Sequence, residues 1–193
     1  TKDEISESSL PCPLQARGVS SDPRKADGFG LPARPPAYNR GMTGRLKLFL
    51  GYAPGVGNTK AMLAEALQRA QQGESVLVAA AGEHSSAEGA GLLAQLERVP
   101  PAAAGGLDVD ALLARRPDLV VVDDLHAANP AGARHPRRHQ DVQALLDGGL
   151  DVFAALDAQH LESLIDDVQA ITGHREPLSV PDELADRAAV IEL

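Results

Sequence analysis

The 193-residue chain carries 18 Lys+Arg against 27 Asp+Glu, a formal charge of −9, with three Phe, two Tyr and no Trp. That length holds one domain plus a modest extension, and an acidic, aromatic-poor chain is excluded as a general nucleic-acid binder, which relies on neutralised phosphates and stacked bases. A single cysteine, Cys12, excludes a disulfide framework and fits a reducing, cytoplasmic setting, and no apolar run nears the roughly 20 residues that span a bilayer.

Residues 1–44 hold six of the 14 prolines and keep no helical or alternating apolar period. Too little apolar surface is present there to offset the entropy of ordering, so this stretch reads as a disordered leader or a start-site artefact, with a regulatory tail as the functional alternative. Lys2 beside Asp3, Glu4 and Glu7, without an apolar core, is no signal peptide. The acidity lies beyond it: residues 1–45 contain 7 basic and 5 acidic groups, leaving 11 and 22 for residues 46–193.

From residue 45 the pattern becomes that of a folded domain. Leu46, Leu48 and Leu50 form a short apolar run ending at Gly51. Residues 59–72 place Met62, Leu63, Ala66, Leu67 and Ala70 at helical spacing, and Gly73 ends the helix. Further strands are expected at 75–81, 119–125, 151–156 and 188–193, and helices at 86–97, 108–115 (capped by Asp108 and ended by Pro117), 137–147 and 158–172. Strands without period-2 alternation, alternating with helices, predict an α/β fold: a mostly parallel sheet with helices on both faces, resembling the P-loop NTPases. In such sheets ligands bind beyond the carboxyl ends of the strands.

Directly after the first strand, Gly51-Tyr52-Ala53-Pro54-Gly55-Val56-Gly57-Asn58-Thr59 opens into a helix. Convergent backbone N–H groups and a helix N-terminus make such a turn an anion site. A nucleoside-triphosphate loop reads G-x-x-x-x-G-K-[ST]. Gly57 and Thr59 fit, but Asn58 stands where the lysine belongs and Tyr52 where the first glycine belongs. Asn can donate a hydrogen bond to phosphate but brings no charge, and Lys60 points about 200° around the helix from residue 58. Asp123-Asp124 ends the 119–125 strand, where a carboxylate holds Mg²⁺ together with the loop hydroxyl. Thr59 and Asp123 are therefore the candidate Mg²⁺ ligands, and Asp124 the candidate to polarise water. Alone, the two aspartates also read as a solvated strand end; coupled to the glycine loop, the functional reading is the better one.

Several colinear segments resemble one family. They are Gly44 to Lys47, Ala53 to Gly57, Met62-Leu63, Val122-Asp123-Asp124-Leu125 and Asn129. They continue with Gly132-Ala133-Arg134-His135-Pro136-Arg137-Arg138-His139-Gln140-Asp141-Val142, close to G-S-R-H-P-K-R-W-Q-D-V, then Leu145 to Asp147, Gly149 to Phe153, Gln159 to Leu164, Ile171 to Gly173 and Val180 to Glu183. Over residues 44–193 the chain resembles the N-terminal cytosolic sensor domain of the KdpD-type osmosensitive potassium-channel sensor histidine kinases. The resemblance implies a role in two-component phosphorelay signalling in response to potassium or osmotic stress. In that family the domain precedes a universal-stress-protein-like domain, membrane helices and a kinase core, none of which is in this chain, so a truncated or stand-alone, C-terminally incomplete sensor domain is expected. It implies ATP or ADP with Mg²⁺ as ligand, held by Gly55, Val56, Gly57, Asn58, Thr59 and Lys60, with Arg134 or Arg137 offsetting the missing lysine, and a protein partner in the signalling pathway.

The sequence departs from the family pattern at several of these positions: Asn58 for Lys, Asp124 for Glu, His126-Ala127-Ala128-Asn129 for A-H-T-N, a shortened stretch between Val99 and Asp108, His139 for Trp, and Asp157 for Asn. The resulting expectation is binding of nucleotide or a partner with little or no hydrolysis. The alternatives are an active Mg²⁺-dependent ATPase or phosphotransferase, and a remnant scaffold. The Arg134–Arg138 cluster reads equally as an anion or partner contact near the phosphate site, or as a solvated loop or a helix start satisfied by Asp141. His84 reads as a loop histidine with a local hydrogen bond, His160 as a residue that caps or packs at a helix start, and Asp157, which ends a strand on the binding edge, as a cap for the helix at 158.

Overall fold

The computed structural model describes residues 43–82 and 86–192, so the expected leader lies, but for its last two residues, outside the described residues, as does His84. Six strands form one parallel sheet: β1 (Leu46–Gly51), β2 (Val76–Ala80), β3 (Glu97–Arg98), β4 (Leu119–Val122), β5 (Val152–Asp157) and β6 (Ala188–Glu192), in the spatial order β3-β2-β4-β5-β1-β6. The helices are α1 (Asn58–Gln71), α2 (Ala87–Leu93), α3 (Val109–Arg115), α4 (Arg138–Asp147), α5 (Ile165–Thr172) and α6 (Asp182–Asp186). The expected α/β fold with a parallel sheet is what the chain adopts.

Both faces of the sheet are covered because successive strand residues point to opposite sides. On one face Phe49, Val76, Val78, Val121, Phe153 and Ala155 pack with Met62, Leu63 and Ala66 of α1. On the other, Leu46, Leu48, Val120, Val122, Val152 and Ala154 pack with Leu112 of α3 and Val142, Leu145 and Leu146 of α4. Burying each Leu, Val or Phe contributes about 1.5–3 kcal/mol, which is why these strands are apolar without alternation. Lys47 is the exception. Its ammonium, fully buried, meets Glu65 Oε2 at 2.5 Å and lies 4.7 Å from the Phe49 ring centroid, so the charge is paired and faces an aromatic quadrupole.

Four elements differ from the sequence reading. The helix expected over 86–97 stops at Leu93, and Glu97–Arg98 instead pair with β2, which buries Leu96 and Val99 on either side. The strand expected over 119–125 ends at Val122, because Asp124 adopts a left-handed φ of 49° that turns the chain off the sheet. The helix expected over 158–172 is two 3₁₀ turns (158–160 and 162–164) followed by α5. Its break is at Leu161, held extended where Val180 bonds the chain: Val180 N–H donates to His160 O (2.8 Å) and Glu162 N–H to Val180 O (3.1 Å). Helix α6 follows Pro181 and was not foreseen. The Asp108 cap was: its Oδ1 accepts from Ala111 N–H at 2.9 Å.

Candidate functional site

The sheet order sets β1 beside β5 and β5 beside β4, so the loops leaving the carboxyl ends of these three strands meet. They enclose, with the start of α1, a cavity of about 460 Å³ lined by Pro54, Gly55, Gly57 to Lys60, Gly82, Ser86, Asp123, Asp124, His126, Asp157, Gln159 and His160, among others. That volume lies within the range of small-molecule sites.

The loop from Gly51 to Gly57 is shaped by its glycines. A Cβ on Gly51 would lie 2.9 Å from Asn58 Nδ2 and 3.0 Å from Asp157 Oδ1, so a side chain there would push these two apart from the loop. Gly57, the N-cap of α1, has a φ of 106°, a conformation closed to side-chain-bearing residues without strain. No side chain caps α1, so the N–H groups of its first turn, which a helix cannot satisfy internally, remain for a ligand at the cavity wall. Open space surrounds the Cβ positions of Gly55 and Gly57.

Opposite the loop stands Asp123, buried at the end of β4. Its Oδ1 accepts from Thr59 Oγ1 (2.9 Å) and Asp124 N–H (3.0 Å), and its Oδ2 accepts from Gly82 N–H (3.2 Å). Burial pushes its carboxyl above the ordinary range, the neighbouring Asp124 charge adds to this, and the three hydrogen bonds oppose it. The two residues expected to share a Mg²⁺ are therefore in direct contact, 64 positions apart in the chain. Among the described residues no group of three or more His, Cys, Asp or Glu is arranged to hold a metal ion. Thr59 and Asp123 fit a Mg²⁺ that brings oxygens of its own, from phosphate and water, as this ion usually does.

Asn58 turns toward β5. Its Nδ2 donates to Leu156 O (3.2 Å) and to Asp157 Oδ1 (3.1 Å). Asp157 makes no side-chain cap to the 3₁₀ turn that follows it, contrary to the reading as a cap. Burial pushes its carboxyl up, against the Asn58 hydrogen bond and His160, while Asp124 and Asp123 push it further up as like charges. Lys60 lines the cavity, with its ammonium on Glu88 of α2, whose carboxyl it holds below the ordinary range through a hydrogen bond and its charge.

Of the residues singled out from sequence, Gly55, Gly57, Asn58, Thr59, Lys60, Asp123 and Asp124 come together around the cavity. Val56 is exposed and does not line it. Arg134 and Arg137 do not line it either: Arg134 pairs with Asp110 at the surface, and Arg137 precedes α4, its N–H donating to Gln140 Oε1 at 3.2 Å. Asp141 gathers this segment, accepting from Asn129 Nδ2 and contacting His135 Nδ1, both at 2.6 Å. The reading of that cluster as a helix start satisfied by Asp141 thus holds for His135. Arg138 does not line the cavity but contacts the turn behind it, donating through Nη1 to the carbonyls of Asp123 (2.8 Å) and Asp124 (3.2 Å). The sequence reading places Arg138 in the basic cluster near the phosphate loop and Asp157 at a strand end on the binding edge, but assigns neither to the site. Asp157 ends a strand as Asp123 does, but its place beside β1 depends on the strand order.

The sequence of the whole described region matches one family model, the osmosensitive K⁺ channel His kinase sensor domain (KdpD), over residues 42–193. The chain belongs to the KdpD sensor-domain family. It is 42% identical over 157 residues to the sensor protein KdpD of Mycobacterium tuberculosis H37Rv, covering 78% of this chain and 18% of that protein. It is 40% identical over 177 residues to the sensor protein KdpD of Escherichia coli K12, covering 88% and 20%. A putative sensor protein KdpD of Synechocystis is 40% identical over 164 residues, covering 81% and 44%. The chain thus spans about a fifth of the length of the first two relatives. No helix among the described residues is long and apolar enough to cross a membrane.

Proposed function

We propose that this KdpD-type sensor domain works on the cytoplasmic side in potassium or osmotic two-component signalling, by binding ATP or ADP with Mg²⁺ at the cavity beyond β1, β4 and β5, without appreciable hydrolysis. The observation that carries the reading is the 2.9 Å contact between Thr59 Oγ1 and Asp123 Oδ1 beneath a glycine loop that opens into α1. A hydroxyl and a carboxylate in contact here are the pair that would hold a phosphate-bound Mg²⁺. The bound ion would offset the negative charge shared by phosphates and aspartates.

In this reading the residues of the chain have separate tasks. The first-turn N–H groups of α1 and the backbone around Gly55 and Gly57 receive phosphate oxygens, aided by the positive end of the helix dipole. Thr59 and Asp123 would hold the ion. Arg138 fixes the turn after β4 by its two carbonyl contacts and so sets the position of Asp123. Hydrolysis would need a cation that follows the charge developing in transfer, and Asn58 supplies none. Nucleotide occupancy, not turnover, is then the signal passed to the pathway's protein partner.

Thermal unfolding tests this. A ligand that binds only the folded state at 100 times its Kd adds about 2.7 kcal/mol of stability. ATP with Mg²⁺ should therefore raise the melting temperature of the parent, and Asp123→Asn should erase that rise. An unchanged melting temperature at millimolar ATP and Mg²⁺ contradicts the proposal.

A further inference from the structure

The cavity is built for phosphate by its backbone but is acidic in its side chains. Asp123, Asp124 and Asp157 line it against, among the described residues, one ammonium, that of Lys60, which is already engaged by Glu88. The Asp157 carboxylate lies against the loop itself: Oδ1 is 3.1 Å from Asn58 Nδ2 and 3.0 Å from the Cβ position of Gly51. At this strand end the loop therefore meets an anion belonging to the protein, held by the residue that stands in the lysine position. A polyphosphate entering without a cation would face these three carboxylates, with no unpaired cationic side chain lining the cavity among the described residues, and like charges a few ångströms apart near a protein surface repel.

We infer that Asp157, held by Asn58, is a specificity-determining residue of this site: it bars free polyphosphates and admits nucleotide only when a divalent cation accompanies it. This rests on the nucleotide reading above and assigns the site's selectivity within it. The pair also acts as a unit. A lysine placed at 58 would arise beside the Asp157 carboxylate and pair with it, so restoring the consensus lysine alone brings little new charge to the ligand. Replacing Asp157 by the near-isosteric Asn removes the charge and keeps an oxygen acceptor for residue 58.

The test is isothermal titration of the full chain with ATP, in magnesium and in EDTA, for the parent, Asp157→Asn, Asn58→Lys and the double variant. The parent should bind ATP in magnesium and show at least about tenfold weaker binding in EDTA. Asp157→Asn should tighten binding in EDTA by about tenfold or more and in magnesium by less, since the ligand's net charge is smaller there. Asn58→Lys should gain under about threefold alone and about tenfold or more on the Asp157→Asn background, a coupling that a double-mutant cycle reads directly. Asp157→Ser, with the charge also removed, should follow Asp157→Asn. The inference is overturned if Asn58→Lys gains equally on both backgrounds, or if neither Asp157 variant changes binding in EDTA while the parent binds ATP in magnesium. If no folded variant binds ATP in either buffer, the nucleotide reading itself falls, and this inference with it.

Discussion

The imidazole rings of His126 and His160 lie parallel, 3.6 Å between centroids and 3° between planes, at the wall of the cavity. His160 is fixed by the 3.0 Å contact of its Nδ1 with Leu178 O, while His126 Nδ1 is buried without a partner among the described residues. Burial lowers the His126 pKa from 6.5 to about 4, helped by the His160 and Arg138 charges and opposed by Glu176 and Asp123. A histidine so depressed binds its proton more readily in the unfolded chain, so stability is full above pH 6.5 and is lost as the pH falls toward 4. Urea midpoints measured from pH 7.5 to 4.5 should show this acid loss in the parent and a smaller one in His126→Ala. Parallel profiles would contradict it.

Arg138 and the left-handed Asp124 give a second prediction. Arg138 Nη1 holds the carbonyls on both sides of the turn at which β4 ends, and Asp124 sits there at a φ of 49°. Arg138→Met keeps most of the side-chain stem and removes both hydrogen bonds, which should cost about 1.5–3 kcal/mol, the usual worth of a charge-assisted bond. Arg138→Lys should recover only part, because one ammonium lacks the guanidinium's planar reach. Urea denaturation measures this, and a loss below about 0.5 kcal/mol for Arg138→Met would contradict it.

How much of this was legible in the sequence follows the range of the interactions involved. The glycine loop, α1, the Asp108 cap and the buried strands are set by local turn chemistry and by runs of apolar residues, and they lie within a few residues of where the pattern puts them. Leu161 shows the limit: its period continues a helix, but hydrogen bonds from Val180 hold it extended. The two-residue β3 carries no periodic signal at all and exists because Leu96 and Val99 bury beside the edge of β2. At the site, Thr59 and Asp123 could be paired because each ends or follows a strand in a known motif. Asp157 is legible as a strand end on the binding edge and Arg138 as part of a basic cluster near the loop, but their partners, Asn58 and the Asp123 and Asp124 carbonyls, follow from the strand order and the packing of α4, which no spacing in the chain encodes.

Turnover should be negligible whatever the affinity for nucleotide. Asn58 brings no cation to the transferring phosphoryl group, and its amide is engaged by Leu156 O and Asp157. Asp124, the candidate to orient water, has its backbone turned off β4. A steady-state ATPase assay should find a rate far below about 1 s⁻¹, the low end of ordinary enzymes. A rate near that value, abolished by Asp123→Ala, would contradict this.

The most direct measurement of the account is the stoichiometry and magnesium dependence of ATP binding by calorimetry on the parent chain and on Asp123→Asn. Thr59 and Asp123 are in contact at 2.9 Å, and Asp123 accepts three hydrogen bonds that fix its carboxylate at the cavity wall. The predicted result is one ATP per chain in magnesium, with affinity at least about tenfold weaker for folded Asp123→Asn. Binding that is indifferent to both magnesium and Asp123, or no binding by a folded parent chain, would contradict the assignment of this cavity as the nucleotide site.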